Sequence, residues 1–303
     1  LFYSYDDRYM ITGSIRRDGY SGFGSNNKYA TFPSVGTAWT FTNEKFFKWG
    51  DIMNYGKLRL SYGKNGNRSL PNPNIAKANL SYGAGKMHGY LNDIGELDLY
   101  RYLMLDRMNN PTLQWEKTTA YNAGVDFSLF KYRLNGSIEG YLSKTTNLLV
   151  DRLLPNVTGY DRIASNLGQV NNTGIEITLN SINMDIPGKL EWQTSVNASL
   201  NKNKIIHLYG DMVDVYDENG NKIGTKESDD YTNRWFIGHA IEAIWDYKQN
   251  GVWQIEDAEL ASKAGGFLPG EYRMVDVNGD GIYTEIADKQ FLGYSKPQFR
   301  WNM

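Results

Sequence analysis

The sequence predicts an all-β fold, a segment of an antiparallel transmembrane β-barrel, and three observations predict it. Apolar and polar residues alternate with a period of two along most of the chain, as in strands with two different faces. Aromatic residues and turn formers are abundant, with 22 Tyr, 12 Phe, 8 Trp and 31 Gly among 303 residues. Short and long connections alternate between the strands, as in barrels with tight turns at one end and long loops at the other.

Composition excludes several other classes. The formal net charge is −2 and the Lys and Arg residues are scattered, so nucleic acid is not an expected partner. The absence of cysteine excludes a disulfide framework and thiolate metal sites. Mean hydropathy is −0.55 and no run of about 18 apolar residues occurs, which excludes a transmembrane helix. Averaged hydropathy does not detect the strands of a membrane barrel, because only alternate residues are apolar.

The alternation indicates seven two-faced strands, each with one apolar face that we expect to contact lipid. These faces carry Tyr9, Ile11, Gly13 and Ile15; Val35, Trp39 and Phe41; Leu58, Leu60 and Tyr62; Tyr121, Ala123, Val125, Phe127 and Leu129; Tyr132, Leu134, Ile138 and Leu142; Ile175, Ile177 and Leu179; and Leu190, Trp192, Val196, Ala198 and Leu200. The intervening residues, among them Thr12, Ser14, Asn122 and Asp126, are predicted to point into a wet lumen.

The connections between these strands differ in length according to the end at which they lie. The short ones are residues 6–8, 43–55 (with room for a helical turn), 130–131 and 184–189, and the long ones are 19–28, 66–112, 151–165 and 209–296. Aromatic residues near strand ends suit a membrane interface, namely Tyr9, Phe41, Tyr121, Phe130, Tyr132 and Trp192. The long connections are therefore predicted to be extracellular.

Both ends of the sequence resemble partial strands. Residues 1–5 read as the tail of one strand and residues 298–303 as the start of another. Two unpaired edges would invite aggregation, so we expect residues 1–303 to be a portion of a barrel that sequence on both sides completes.

Five segments, in order and spread over nearly the whole chain, resemble motifs of SusC/RagA-type TonB-linked outer-membrane proteins of Bacteroidota. They read NPTLQWEKTT (110–119), AGVDF (123–127), YLSKTTNLL (141–149), NLGQVNNTGIE (166–176) and DVNGDG (276–281), and Gly293 and KPQF (296–299) follow. The resemblance implies a barrel of 22 strands in the outer membrane with an N-terminal plug, energised through the TonB complex. It also implies a SusD-like surface lipoprotein as partner and an oligosaccharide or peptide as cargo. The plug, the TonB box, the leading strands and the final strands would lie outside this sequence.

The segment from Asp276 partly matches a calcium loop of the EF-hand type. Asp276, Asn278 and Asp280 occupy ligand positions 1, 3 and 5, and Ile282 at position 7 would offer its backbone carbonyl. Position 12 is Ala287, and the acidic residue, Asp288, comes one place late. Two interpretations are open: a calcium site, or a tight turn held by its own Asp and Asn hydrogen bonds.

The last long connection contains four aromatic residues, Trp235, Trp245, Tyr247 and Trp253. Aromatic rings stack on sugars and anchor partner proteins, so these residues are candidates for ligand or partner contact. The alternative is that they pack a small core of the connection itself. Other aromatic residues in the long connections that suit a protein interface are Tyr82, Tyr90, Tyr100 and Tyr102.

The leading hypothesis is import of a bulky nutrient. No Ser/His/Asp or Cys/His arrangement supports catalysis, so an enzyme is not expected. A passive porin or adhesin barrel shares the alternation, and a plug and TonB box upstream would distinguish import from it. A soluble carbohydrate-binding β protein is the second alternative, and it would stay in solution without detergent.

Overall fold

A computed structural model describes residues 1–68, 74–81, 87–101, 103–154, 156–217, 220–231 and 233–303. Tyr82 and Tyr102 lie outside the described residues. The chain forms two compact units, residues 1–198 with 302–303, and residues 199–301. In the described ranges, no helix combines the length and the apolar character needed to cross a bilayer.

The first unit consists mainly of antiparallel strands, several of them long. They are β1 (Phe2–Tyr5), β2 (Tyr9–Gly19), β3 (Tyr29–Trp39), β4 (Met53–Asn67), β5 (Asn79–Ser81), β6 (Met87–Leu91), β7 (Leu97–Arg101), β8 (Met104–Met108), β9 (Glu116–Leu129), β10 (Leu134–Leu153), β11 (Arg162–Ile186) and β12 (Leu190–His207), the last continuing into the second unit. Single 3-10 turns lie at Phe41–Asn43 and Asn156–Thr158. The main sheet runs β1-β2-β3-β4-β9-β10-β11-β12, so each strand pairs with its neighbour along the wall.

Register separates the two faces of this sheet as the alternation predicts. Residues directly opposite each other on antiparallel strands share a face. One such row across six strands is Ile11, Thr37, Leu60, Ala123, Gly140 and Ile175. Asp126 lies three residues from Ala123 on β9 and therefore points to the opposite face. The predicted separation of Ile11 from Asp126 is confirmed.

The long connection predicted at residues 151–165 is wrong in its extent. Strand β10 continues to Leu153 and β11 begins at Arg162, which leaves only eight residues between them. Residues 143–147 are all polar and Val170 is the one apolar residue in 169–172, so a period-two hydrophobic signal disappears although the strands continue. The other three long connections remain at the same end of the sheet, and β5 to β8 lie inside one of them.

The turns at the other end are short and use the left-handed region of the backbone. Asp6 and Asp7 have φ of 52° and 49°, as the type I′ turn of a β-hairpin requires. Phe130 and Tyr132 lie in the next turn of this kind, as predicted for aromatic residues near strand ends. Tyr121 instead lies inside β9, because the strand begins five residues earlier, at Glu116.

The second unit replaces the longest predicted connection with several small elements. They are β13 (Met212–Tyr216), β14 (Lys222–Glu227), β15 (Ala243–Tyr247), β16 (Gln249–Val252), α1 (Ala258–Gly265), β17 (Tyr272–Met274), α2 (Glu285–Asp288), β18 (Lys289–Tyr294) and β19 (Phe299–Asn302), with a 3-10 turn at Ile255–Asp257. The pairs β13–β14, β15–β18 and β16–β17 form separate two-stranded sheets, and β19 pairs with β12.

Candidate functional site

The polar face of the main sheet carries a charged cluster centred on Arg59 of β4. Its guanidinium donates to both carboxylate oxygens of Asp126 at 2.8 and 2.9 Å, and to Glu139 of β10 at 3.3 Å. Arg59 is opposite Gly124, whose missing side chain lets the arginine lie across β9. Asn122 donates a further hydrogen bond to Glu139. These partly exposed ion pairs add little stability, but they present a fixed polar surface.

A second cluster, the motif junction, joins residues 24–28, 110–116, Asn147 and Asn166 at the end of the sheet where the long connections lie. Asn110 donates to the carbonyl of Ala164 at 2.8 Å, and its Oδ1 accepts from the backbone and hydroxyl of Thr112. The carbonyl of Leu113 accepts from the backbone N–H of Gly24 at 2.8 Å. Three of the sequence segments that resemble family motifs therefore meet in space.

Asn166 of β11 holds the centre of the motif junction. Its Oδ1 accepts from the backbone N–H of Gln114 at 2.7 Å, and its Nδ2 donates to the carbonyl of Gln114 at 2.7 Å. The same Nδ2 lies 3.0 Å from the carbonyl of Asn147 on β10. One amide side chain thus satisfies three backbone groups that no neighbouring strand reaches.

An aromatic core fills the motif junction. Leu113 and Trp115 are buried together with Phe23 and Phe32, and Tyr20 packs against them. The Trp115 ring lies 5.1 Å from that of Phe23 and 5.6 Å from that of Phe32, and its indole N–H donates to the carbonyl of Lys28 at 3.1 Å. This core attaches the connection after β4 to the one between β2 and β3.

Two opposed residues of the β10–β11 hairpin next to the junction adopt left-handed backbone conformations. Asn147 has φ 56° and Gly168 has φ 77°, between the paired rows Thr146–Gln169 and Leu148–Leu167. A residue with a Cβ would be strained at Gly168, which accounts for glycine there. The distortion directs the Asn147 carbonyl to Asn166.

The four aromatic residues predicted to contact a ligand or partner all pack within the second unit. Trp253 is buried against Ala261 and Ala264, with the Arg273 guanidinium over its ring. Trp245 stacks on Phe236 at 3.8 Å. Tyr247 lies under the Lys289 ammonium, and Trp235 is half-buried opposite Asp230 in an isolated bridge. Packing of a local core accounts for Trp253 and Trp245, and contact with a ligand or partner stays a prediction for all four.

The predicted calcium loop is ordered by its own hydrogen bonds. Asp276 accepts from the backbone N–H groups of Gly279 and Gly281, both at 2.7 Å. Asp280 accepts from the N–H of Ile282 at 2.8 Å, and the Asn278 amide donates to Asp280. These are the contacts of a self-held Asp/Asn/Gly turn.

Asp288 binds the backbone of that turn from its far side. It is fully buried and accepts from the N–H groups of Thr284 at 2.7 Å and Val277 at 3.0 Å. The hydrogen bond from the Thr284 backbone, followed by that from Val277, lowers the pKa of the Asp288 carboxyl despite its burial. Across the described part of the chain, no three His, Cys, Asp or Glu side chains form a group that could hold a metal ion. Calcium binding stays a prediction.

A hairpin within the connection after β4 exposes apolar residues. Strands β6 and β7 pair Leu91 with Leu97 and Gly89 with Leu99, and these leucines are exposed together with Ile94 at the tip. Tyr90 and Tyr100 lie on the other face, with ring centroids 5.9 Å apart. An exposed apolar hairpin is typical of a surface that another molecule covers.

Sequence reasoning missed the motif junction and the Arg59 cluster as sites. Asn166 stands inside a recognisable motif, but its role depends on the approach of Gln114, which is 52 residues away. Arg59, Asp126 and Glu139 have complementary charges on predicted polar faces, so a register for the strands would have found them.

The chain matches the family model described as TonB dependent receptor-like, beta-barrel over residues 3–303. It is 32% identical over 301 residues to TonB-dependent receptor P3 of Formosa agariphila, and 30% identical over 306 residues to TonB-dependent receptor SusC of Bacteroides thetaiotaomicron. Each alignment covers 98% of this chain and 28% of the relative. The chain thus spans less than a third of the length of these receptors.

Solved structures of a RagAB peptide transporter have the same fold. One superposes with a TM-score of 0.72 at 22% identity, covering 99% of this chain and 30% of that one. A closed-closed state of the RagAB peptide importer superposes with a TM-score of 0.70, also at 22% identity. This likeness concerns the fold.

Proposed function

Because this chain belongs to the TonB-dependent receptor-like β-barrel family, we propose that it forms part of the wall of an outer-membrane transporter that imports a bulky nutrient. The observation that carries the proposal is the two-faced sheet. Strands joined to their neighbours in register place an apolar row on one side and the Arg59 cluster on the other. Such a wall suits lipid outside and a hydrated passage inside.

The polar face supports a polar, hydrated cargo. Arg59, Asp126, Glu139 and Asn122 offer both donors and acceptors on neighbouring strands. Oligosaccharides and peptides both carry many groups that bond to such a surface, and we propose a cargo of one of these two classes. The cargo enters through the end of the sheet where the motif junction lies.

A SusD-like surface lipoprotein is the proposed partner at that end. The β6–β7 hairpin exposes Leu91, Leu97 and Leu99, together with Tyr90 and Tyr100. Apolar and aromatic residues of this kind form the centres of protein interfaces. The TonB complex is proposed to supply the energy through parts of the receptor outside this chain.

Uptake measurements test the proposal against a passive barrel. Two strains are compared, one that carries the full-length receptor and one in which its gene is deleted. Each is given a labelled oligosaccharide or peptide at an external concentration below that inside the cell. Import should require the gene and should stop when a protonophore collapses the proton gradient. Uptake that continues unchanged without the gradient would identify a passive barrel instead. A receptor released from membranes by a simple salt wash would support the soluble alternative.

A further inference from the structure

The apolar face of the main sheet contains a groove of about 690 Å³. Its floor is low because Ala123 of β9 is opposite Gly140 of β10. The larger Leu60 and Ile175 stand on either side of that pair in the same row. A Cβ built on Gly140 meets only one atom within 4 Å, the Gly174 carbonyl at 4.0 Å, so the space above the floor is open.

Two aromatic rings lie at one end of the groove. Tyr62 of β4 is opposite Tyr121 of β9, their ring centroids are 5.2 Å apart, and Leu142 lies next to Tyr121 on β10. Tyrosine at the edge of an apolar band is typical of the level where hydrocarbon gives way to headgroups.

Two lysines lie just beyond those rings on the same face. Lys64 follows Tyr62 by two residues and Lys144 follows Leu142 by two residues, and both are opposite Thr119. Their backbones are therefore about 9–10 Å apart, two strand spacings of about 4.8 Å. Neither lysine forms an ion pair with another residue in the described ranges. The pair leaves two positive charges over one end of an apolar groove.

We propose that this site binds a phosphate-bearing lipid of the surrounding membrane, with an acyl chain in the groove and the phosphate between Lys64 and Lys144. The proposal rests on the proposed function, which places this face against lipid. The distance along β4 from Leu60 to Lys64 is roughly 13 Å, at about 3.4 Å per residue. An acyl chain attached to a headgroup at the lysines can therefore extend along the groove. Lysine near a membrane surface attracts anionic lipid, and its aliphatic stem packs on apolar surface.

The size of the groove favours a lipid over a protein. Fourteen residues line it, whereas a stable protein interface takes about 20–30 residues on each side. Its volume lies within the range of about 300–1,000 Å³ that is usual for small-ligand sites. Water would find few hydrogen-bond partners on the Ala123 and Gly140 floor.

Native mass spectrometry of the full-length receptor in mild detergent tests the site with two lipids. The probes are phosphatidylglycerol and a diacylglycerol with identical chains, which lacks the phosphate. The wild type should retain phosphatidylglycerol more strongly. Gly140→Leu and, separately, Ala123→Leu fill the groove and should reduce retention of both lipids. The double variant Lys64→Gln with Lys144→Gln should weaken the retention of phosphatidylglycerol by about fivefold for each lysine. Its retention of the diacylglycerol should not change.

Matched controls lie on the same sheet. Gly13→Leu adds the same side chain on the same apolar face, where a Cβ meets nothing within 4 Å, and Lys189→Gln removes a lysine from the turn between β11 and β12. Both should behave as wild type. The proposal is overturned if both filled variants retain lipid like Gly13→Leu, or if the lysine variant loses both lipids equally. A receptor that does not sediment with membranes at all would instead contradict the proposed function.

Discussion

The side-chain amide of Asn166 pairs with the backbone of Gln114 as a strand residue would, accepting from its N–H and donating to its carbonyl, both at 2.7 Å. A side chain thereby extends the pairing of β11 to a segment that does not run beside it as a strand. The segment includes Leu113 and Trp115, so the amide also holds the aromatic core in place.

Asn166→Ala should destabilise the receptor by about 1.5–4.5 kcal/mol, because three hydrogen bonds worth about 0.5–1.5 kcal/mol each are lost. The measurement is the urea midpoint of the full-length receptor folded in detergent. Asn180→Ala on the same strand is the control, since exposed Asn180 accepts one bond from Ser195. Equal midpoint shifts for the two variants would contradict the central role of Asn166.

Gly24→Ala should strongly destabilise the receptor, for a steric reason. A Cβ on Gly24 would lie 1.8 Å from the carbonyl oxygen of Pro111, and this contact is with backbone rather than with a flexible side chain. We expect a loss of about 3 kcal/mol, at the upper end for overpacking, in the same urea assay. Gly50→Ala meets nothing within 4 Å and should change stability by less than about 0.5 kcal/mol. A tolerated Gly24→Ala would contradict the packing described for the motif junction.

Cysteines at adjacent positions of β11 should react with different reagents, because one faces water and the other faces lipid. Single cysteines replace Ile177 on the apolar face and Thr178 on the polar face, in a full-length receptor with no other cysteine. In membranes, a water-soluble maleimide should modify Thr178→Cys several times faster, and a lipid-soluble one should prefer Ile177→Cys. Equal modification rates of the two cysteines with both reagents would contradict the assignment of one face to the lumen and the other to lipid.

The Asp288 carboxyl should make the loop around it sensitive to acid. Its folded pKa is lowered by the Thr284 and Val277 hydrogen bonds, so its stabilising effect is present above the unfolded value of about 3.9 and is lost as pH falls through the folded pKa. Hydrogen–deuterium exchange of residues 276–289, corrected for intrinsic rates, should show protection falling at low pH. Asp288→Asn should remove that dependence, while Glu256→Gln, an exposed residue of the same unit, should keep it. A pH profile unchanged by Asp288→Asn would count against this role.

The calcium prediction has its own measurement. If residues 276–288 bind calcium, millimolar calcium should protect this segment from exchange, and Asp280→Ala should abolish the protection. Magnesium at the same concentration is the control, since it demands a stricter octahedral geometry. Equal exchange with and without calcium would leave the turn held by Asp276 and its own hydrogen bonds as the explanation.

The sequence predicted the main sheet well because a wall between lipid and water imposes period-two alternation. Ile11, Leu60 and Ile175 could be assigned to one face before any strand was paired. Alternation failed where apolar residues are sparse along a strand, as in residues 143–147, which is why β10 and β11 proved longer than expected.

The sites were less predictable because they depend on contacts distant in sequence. Alternation places Arg59 on the polar face, but only register brings it to Asp126, 67 residues later. For Trp253, the residue type predicts more than its actual partners. Its aromatic character predicts a contact, and only the fold shows that Ala261 and Ala264 make it.

Strand β11 has 25 residues, although a tilted strand needs only about 9–11 to cross a bilayer. Its apolar face runs from Leu179 to Ile175 and turns polar at Asn171, so its first third and Asn166 lie beyond the apolar part of the strand. In the proposed transporter, this hydrogen-bonded part of the sheet would form one side of the mouth of the passage. In the transporter that we propose, sheet held in fixed register at this point would limit the bulk of the cargo before any loop moved.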